Sequence, residues 1–336
     1  MLFCLHSSDE WMDIYGTSAP SQIYTTNQFY SGYTGDFYVQ YVVFENVGSN
    51  GVIYLSSYST RSLIYSSTFI NSTSSGEGGS IYINYGQSAL VKVCSVGSTC
   101  TSVNGARFSR IFVNNTNSSI NYNSQLSVTL NNRGSLVGYN GMFLRYGNLT
   151  FTQNNLSNNA CQYNSAIGID YASSLIINYS YIAGNEAYSR IFVIEWSYCS
   201  FQQIVFVNNV VHYATSYRGM INLNCYNLKI SNCVFSNNTQ CPDSLFGTYT
   251  TTSIITVLNS EIDTNYTTIH AGSGTFSIEN PTIPNIELHL LTTELCPTGE
   301  SLFGNATAKP TSYETNFMNF RSLSDKFLCL MLSAMF

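Results

Sequence analysis

The feature that most constrains this chain is a short motif that recurs along it, an aromatic residue followed closely by asparagine. CVFSNNTQC at 233–241 has a near copy, IVFVNNVVH, at 204–212. Looser copies are YVVFENVGS at 41–49, STFINSTSS at 67–75 and RIFVNNTNS at 110–118. A repeat of this kind, with nothing catalytic inside it, indicates an array of stacked structural units.

The segment 149–260 divides into units that each hold three short apolar runs. These units open at Phe151, Ile182, Phe206 and Phe235, which are 31, 24 and 29 residues apart. A unit of three short strands cannot bury its apolar face alone, so each unit must stack on its neighbours. The pattern therefore predicts an all-β fold, a right-handed parallel β-helix solenoid with three short strands per coil.

In such a solenoid, equivalent side chains lie over one another along the axis. We expect the aromatic residue of each motif to point inward. The asparagine that follows should form an amide ladder at a tight corner, where its tolerance of left-handed backbone is useful. The predicted ladder comprises Phe44, Asn46, Phe69, Asn71, Phe112, Asn114, Phe151, Asn154, Ile182, Asn185, Phe206, Asn208, Phe235 and Asn237. The interval between Phe69 and Phe112 is interpreted as two turns, or as one turn with an insertion.

The repeat also sets the predicted boundaries. Residues 1–34 form an N-terminal cap or an irregular first coil, and residues 35–285 form the β-helix. Residues 286–296 include IELHLL, a possible strand that closes the end of the solenoid, because bare strand edges invite aggregation. Residues 297–336, with two prolines and many Ser, Thr and Asn, are predicted to be a poorly ordered tail.

The motif carries a family resemblance. Phe-x-Asn-Asn-Thr together with Gly-Gly-Ser-Ile-Tyr, which begins at Gly78, resembles the FxxN and GGA[IL] repeats of polymorphic outer-membrane-type β-helix proteins. The Tyr-, Ser- and Asn-rich texture is similar to that of trichomonad surface-like proteins with the same repeat. This resemblance covers about residues 35–290 and implies a pectin-lyase-like β-helix. The Gly-Gly element is intact only at 78–79, and no autotransporter barrel follows.

Composition points to a weakly charged surface and an oxidising compartment. Charged residues make up 9% of the chain, and 12 Lys plus Arg against 18 Asp plus Glu give a net charge of −6, so we expect no nucleic-acid partner. Ten cysteines and the sequons favour an extracellular or cell-surface location. Cys94 with Cys100, or Cys233 with Cys241, would close small loops, although buried free thiols are equally consistent. The possible glycosylation sites are Asn71, Asn114, Asn117, Asn148, Asn155, Asn178, Asn237, Asn265 and Asn305.

The termini carry no convincing targeting signal. The start, MLFCLHSSDEW, lacks the basic leader and the long apolar run of a signal peptide. The apolar end at 327–336 is only ten residues long, whereas a membrane span needs ~20. We therefore predict no membrane span in this chain. An incomplete gene at one or both ends would explain why an extracellular or cell-surface location is predicted although neither terminus carries a targeting signal.

A search for chemistry gives no catalytic, metal or cofactor site. The four histidines are scattered without metal-ligand spacing, and no phosphate loop or nucleophile elbow is present. The nearest coil-to-coil acidic combination is Asp170 with Glu195, 25 residues apart, a spacing that suits adjacent coils. Two carboxylates in a groove would suit a polysaccharide hydrolase. Ordinary outward exposure on alternating strands explains them as well.

The remaining candidate is a binding surface. The 26 tyrosines could form an aromatic strip that stacks on sugars or docks on proteins; examples are Tyr163, Tyr171, Tyr179, Tyr181 and Tyr188. Alternatively, tyrosine is frequent here only because it fits strands well. We predict a non-enzymatic extracellular or cell-surface protein, structural or adhesive, that binds a host-cell protein or a glycan. The alternatives are a polysaccharide lyase or glycoside hydrolase of pectin-lyase-like fold, and a degenerate family member without a selected activity.

Overall fold

The computed structural model describes residues 7–131, 138–213, 219–239, 244–263 and 269–291. It confirms the predicted fold class, because these residues form an all-β parallel solenoid of about 9 turns with 53% strand. Each coil contributes one strand to each of three long sheets, called here sheets 1, 2 and 3 in the order in which a coil visits them. Adjacent coils pair in parallel, as Phe206 does with Phe235 in sheet 3.

The strands of each sheet are stacked along the solenoid axis. Two long strands, Arg190–Gln202 and Ile221–Ser231, bend through the corner between sheets 1 and 2 and belong to both. Besides these, sheet 1 comprises Tyr30–Ser31, Ile53–Leu55, Ile81–Asn84, Ala106–Phe112, Asn140–Arg145, Asn164–Asp170, Phe246–Thr248 and His270–Gly272. Sheet 2 comprises Ile23–Tyr24, Asp36–Gln40, Arg61–Tyr65, Gln87–Val91, Ile120–Ser124, Asn148–Thr152, Ser174–Asn178, Ile254–Leu258 and Thr275–Glu279.

Sheet 3 has the shortest strands of the three. It comprises Val43–Glu45, Thr68–Ile70, Cys94–Val96, Ser127–Thr129, Asn155–Ser157, Tyr181–Ala183, Val205–Val207, Val234–Ser236 and Glu261–Ile262. Two-residue strands continue some coils past sheet 3, namely Thr73–Ser74, Thr99–Cys100, Ala160–Cys161, Glu186–Ala187 and Val210–Val211. Side chains alternate in and out along these strands, so one face of every sheet lines a common interior.

The interior is a set of apolar columns, as predicted. The inward column of sheet 3 runs through Phe44, Phe69, Ser95, Val128, Leu156, Ile182, Phe206, Phe235 and Ile262. Phe44 and Phe69 stack with ring centroids 4.8 Å apart and are fully buried. Stacking like side chains on successive coils buries apolar area without any single coil forming a closed core.

The asparagine ladder exists, but it occupies the position three residues after the inward aromatic rather than two. Asn185 Nδ2 donates to Asn209 Oδ1 at 3.0 Å, and Asn209 Nδ2 donates to Asn238 Oδ1 at 2.9 Å. The ladder continues through Asn159 and Asn131 with the same geometry, at sequence separations of 24 to 29 residues. Of the predicted amides, Asn185 is therefore a member, whereas Asn208 and Asn237 are not.

A left-handed residue explains this one-residue shift. Asn208 has a φ of +57° and Asn237 a φ of +54°, and both side chains are exposed. A residue in this conformation turns the chain through the corner and interrupts the in-out alternation of the strand. The next residue, rather than the left-handed one, then faces the interior. Asn46 and Asn71 occupy the same exposed, left-handed position.

Three further predicted ladder residues lie elsewhere in the coil. Phe151 is buried in sheet 2, where it pairs with Ile177, so the coil that it was predicted to open begins its sheet 3 strand at Asn155 instead. Asn154 is buried at the corner between sheets 2 and 3, where its Oδ1 accepts from the Leu126 amide at 2.8 Å. Phe112 lies on the outer side of sheet 1, half-buried.

Asn114 also departs from the predicted ladder. It lies at the corner between sheets 1 and 2, where its Nδ2 donates to the Tyr58 carbonyl at 3.0 Å and its Oδ1 accepts from the Gly86 amide. The interval from Phe69 to Phe112 contains the sheet 3 strand Cys94–Val96, with Ser95 rather than an aromatic in the inward column. Because a serine breaks the aromatic pattern here, the motif alone left this interval open between two turns and one turn with an insertion.

Two segments cover the outside of the solenoid. The helix Ser7–Tyr15 lies on the outer side of sheet 2, where Trp11 is fully buried against Tyr38 and Leu63. The predicted capping strand at 286–296 differs from the structure, because residues 286–291 form no strand and lie along the outer side of sheet 3. Ile286 and Leu288 pack there on Ala183, Val205 and Val207, while Leu291 contacts Cys94. Residues 292–296 and the predicted tail at 297–336 lie outside the described residues.

Cysteine pairing differs from both loop closures that the sequence suggests. Cys94 forms a disulfide, whose partner lies outside the described residues. Cys100 and Cys233 are buried free thiols, so neither the Cys94–Cys100 nor the Cys233–Cys241 loop forms. Among the described residues, no helix is long or apolar enough to cross a membrane.

Candidate ligand-binding surface

An aromatic ridge runs along the corner between sheets 1 and 2. Almost every coil places an aromatic residue here, immediately after its sheet 1 strand or within a few residues of it. The ridge comprises Tyr58, Tyr85, Tyr146, Tyr171, Trp196, Tyr198, Tyr226 and Tyr249. Because the residue that turns the corner adopts a left-handed conformation, with φ of +52° at Tyr171 and +58° at Trp196, it leaves the strand alternation and projects from the edge.

Two pairs of ridge rings stack between adjacent coils, and several rings of the ridge are exposed. Tyr58 and Tyr85 are 3.9 Å apart at their centroids and inclined by 23°, and Tyr198 and Tyr226 are 5.1 Å apart. Tyr58 is 66% exposed and Tyr171 47% exposed. Strands in a sheet are spaced by about 4.8 Å, so the ridge presents flat apolar faces at a regular interval along the axis.

The ridge is interrupted once, at the coil that follows Ala106–Phe112. The position equivalent to Tyr85 and Tyr146 holds Val113, which is fully buried. The loop after it carries the exposed Asn117, which belongs to a predicted sequon. The surface is therefore divided into a short run at Tyr58 and Tyr85 and a longer run from Tyr146 to Tyr249.

A charged row lies beside the longer run, on the outer side of sheet 1. Arg145, Asp170 and Glu195 are register partners on three successive strands, which confirms that Asp170 and Glu195 occupy adjacent coils. Arg145 Nη2 lies 2.9 Å from Asp170 Oδ2. The guanidinium also lies over the rings of Phe112 at 5.0 Å and Tyr171 at 5.4 Å, so it joins the charged row to the ridge.

Asp170 is more buried than an outward-facing residue of an alternating strand would ordinarily be. Its side chain is 12% exposed. Burial raises the pKa of this carboxyl from 3.8 to about 6, with a further contribution from Glu195, while Arg145 opposes the rise. An acid whose pKa lies near neutrality can hold or release a proton under physiological conditions.

The five tyrosines predicted to form one strip do not share a face. Tyr171 belongs to the ridge, and Tyr163 stacks on Tyr139 at the start of sheet 1. Tyr179 and Tyr181 lie partly buried against the cluster formed by residues 286–290 on sheet 3. Tyr188 stacks on Tyr213 at 5.4 Å, at the corner between sheets 3 and 1. The signal for the ridge is an aromatic residue directly after a sheet 1 strand, or within a few residues of it, on most coils; this pattern becomes readable only once the strand register is known.

The predicted sequons differ in accessibility. Asn71, Asn117, Asn148 and Asn237 are exposed, and Asn114 and Asn178 are half-buried. Asn155 is 9% exposed, because its strand lies within the covered part of sheet 3. Asn265 and Asn305 lie outside the described residues.

No protein-family model, curated protein or solved structure matches this chain. The likeness to pectin-lyase-like and trichomonad surface-like repeats therefore stays a prediction.

Proposed function

We propose that this protein is a non-enzymatic structural or adhesive solenoid that binds a glycan along the aromatic ridge, at the cell surface or outside the cell. The observation that carries the proposal is the ridge itself, a row of aromatic residues along one corner of the solenoid, most of them exposed tyrosines. Tyr171 is 47% exposed and Tyr226 40% exposed, so a large part of each ring is accessible to a ligand. Aromatic rings with a polar tip combine apolar stacking with hydrogen bonding, which suits a sugar ring.

The charge of the surface favours a neutral polymer. The net charge of −6 comes from only 30 charged side chains, 12 basic and 18 acidic, over 336 residues. Beside the ridge, the guanidinium of Arg145 is already paired with Asp170. A polyanion would need unpaired basic groups to displace its counterions, whereas a neutral glycan needs only stacking faces and hydrogen-bonding groups.

Two observations support an extracellular or cell-surface location. The Cys94 disulfide is typical of an oxidising compartment. Exposed sequons lie on different sides of the solenoid, with Asn71 and Asn237 at the corner after sheet 3 and Asn148 at the start of a sheet 2 strand. Glycans at such positions would not disturb the interior.

A binding assay with matched double variants tests the proposal. We expect the purified chain to bind at least one neutral polysaccharide or neutral mucin-type glycan on an array. Tyr171→Ala with Tyr226→Ala should weaken that binding about tenfold or more, since two stacking faces are lost. Tyr188→Ala with Tyr213→Ala is the control, because this pair is also stacked and exposed but lies at another corner. Absence of any glycan binding, or equal losses in both double variants, would argue against the proposal.

A polysaccharide lyase or hydrolase is the second candidate, and Asp170 is the observation that favours it. Its raised pKa, the neighbouring Glu195 and the paired Arg145 form a group able to transfer protons beside an exposed aromatic run. Incubation with pectin and related polymers, followed by detection of new reducing ends or unsaturated products, separates the two candidates. Turnover that disappears in Asp170→Asn would establish the enzyme and overturn the non-enzymatic proposal.

A further inference from the structure

A second site lies away from the longer run of the ridge, near the N-terminal end of sheet 1. It is a cavity of about 340 Å³, at the lower end of the ~300–1,000 Å³ typical of small-molecule sites. Phe29, Tyr54 and Tyr82 form its aromatic walls, and Asn50, Ser75 and Glu77 supply polar groups.

The aromatic walls are ordered and open. Tyr54 and Tyr82 are register partners on adjacent coils, with ring centroids 4.8 Å apart and planes inclined by only 11°. Tyr54 and Phe29 are each 42% exposed. Flat apolar faces that line an open cavity and stay unburied are available to stack on a ring of the ligand.

The polar side of the cavity is electrically balanced. Glu77 Oε1 lies 2.5 Å from Arg110 Nη1, and the Arg110 side chain is only 15% exposed. The Arg110 guanidinium is also held over the Phe112 ring at 4.5 Å. Burial raises the pKa of the Tyr82 hydroxyl, as does the Glu77 carboxylate with which it hydrogen bonds, so the hydroxyl stays protonated.

This balance disfavours a charged ligand on physical grounds. Aromatic walls and a carboxylate alone would suit an ammonium group, but Arg110 already compensates the charge of Glu77. What Glu77 retains is hydrogen-bond acceptor capacity, because a carboxylate has about four lone-pair positions. Asn50 is exposed and offers both a donor and an acceptor. The cavity therefore combines apolar stacking faces with acceptors for hydroxyl groups, without net charge.

We propose that this cavity binds a single neutral sugar ring, stacked on Tyr54 and Phe29, with its hydroxyls donating to Glu77 and bonding to Asn50. The site is separate from the aromatic ridge and does not depend on the function proposed for it. It would suit one terminal unit of a glycan, whereas the ridge presents an extended surface.

Calorimetric and NMR titrations of the full chain test this site with defined probes. The probes are the methyl glycosides of glucose, galactose, mannose and N-acetylglucosamine, with glucuronate and glucosamine as charged comparators. We expect at least one neutral glycoside to bind and to shift the ring resonances of Tyr54 and Tyr82. Tyr54→Ala should weaken that binding about tenfold, and Tyr54→Phe, which keeps the stacking face, should change it less than about threefold.

Tyr188→Ala is the matched control, because Tyr188 is also an exposed tyrosine stacked on the next coil but lies outside both the cavity and the ridge. It should leave glycoside affinity unchanged. The proposal is overturned if no neutral glycoside binds, if a charged comparator binds more tightly, or if Tyr188→Ala weakens binding as much as Tyr54→Ala. Should Tyr54→Ala fail to fold, the ring shifts in the wild-type protein decide the question. A ridge that fails to bind polymer would leave these outcomes unaffected.

Discussion

Replacing Asn209 should destabilise the solenoid far more than replacing its neighbour Asn208, although both belong to the same NN pair. Asn209 Nδ2 donates to the Ile182 carbonyl at 3.0 Å and to Asn238 Oδ1 at 2.9 Å. Its Oδ1 accepts from the backbone amide and from Nδ2 of Asn185, both at 3.0 Å. The side chain is fully buried, and all its hydrogen-bonding capacity is used.

The magnitude follows from the groups that Asn209→Ala would leave behind. The Asn185 backbone amide, one Asn185 side-chain proton and the Ile182 carbonyl each lose a partner in the interior. An unsatisfied buried group costs ~1–3 kcal/mol, so the free energy of unfolding should fall by about 3–6 kcal/mol. This is a large share of the ~5–15 kcal/mol that stabilises a typical protein.

Asn208 provides the control within the same motif. Its side chain is exposed and its φ is +57°, so Asn208→Ala loses only the tolerance of left-handed backbone, about 1 kcal/mol. Asn208→Gly should be nearly neutral. Urea unfolding followed by circular dichroism and by tryptophan fluorescence measures all three variants. If Asn208→Ala destabilises as much as Asn209→Ala, the assignment of the ladder to the second asparagine is wrong.

Three further predictions test other parts of the structure. Because the folded pKa of Asp170 is raised from 3.8 to about 6, the wild type takes up a proton on folding in this window, and its stability falls as pH rises through it. Asp170→Asn should remove that dependence and be about 2–3 kcal/mol more stable at pH 7; an unchanged pH profile of unfolding would contradict the pKa. Trp11→Ala should cost about 3–5 kcal/mol, because the buried contacts of the indole are lost. A nine-residue helix is not stable without such contacts. Hydrogen exchange should then show loss of protection at Ser7–Tyr15 alone, and retained protection would refute this packing. Leu288→Asp places a charge against Val205 and should release residues 286–291 from sheet 3, at a cost of about 2–3 kcal/mol. Unchanged proteolysis of this segment would show that it is held in another way.

The chain's own sequence determined the repeat, and with it the class of fold. Aromatic and β-branched residues at intervals of 24 to 31 residues can bury their side chains only by stacking coil on coil, so the columns of Phe206 and Phe235 follow from the pattern. The spacing of 25 residues between Asp170 and Glu195 likewise sufficed to place them on adjacent coils. These inferences succeed because they depend only on period.

Tertiary structure decided what a period cannot encode. Whether Asn208 or Asn209 faces the interior depends on a single left-handed residue at the corner, which inverts the alternation that a strand pattern assumes. The ridge depends on which aromatic residues follow a sheet 1 strand. Its break at Val113 depends on which coil carries an inserted loop. The burial that raises the pKa of Asp170, and the pairing of Glu77 with Arg110 that neutralises the cavity, arise from contacts between residues on neighbouring coils. Such contacts are fixed by strand register and by the segments that pack on the outer faces of the sheets, so only the assembled solenoid reveals them.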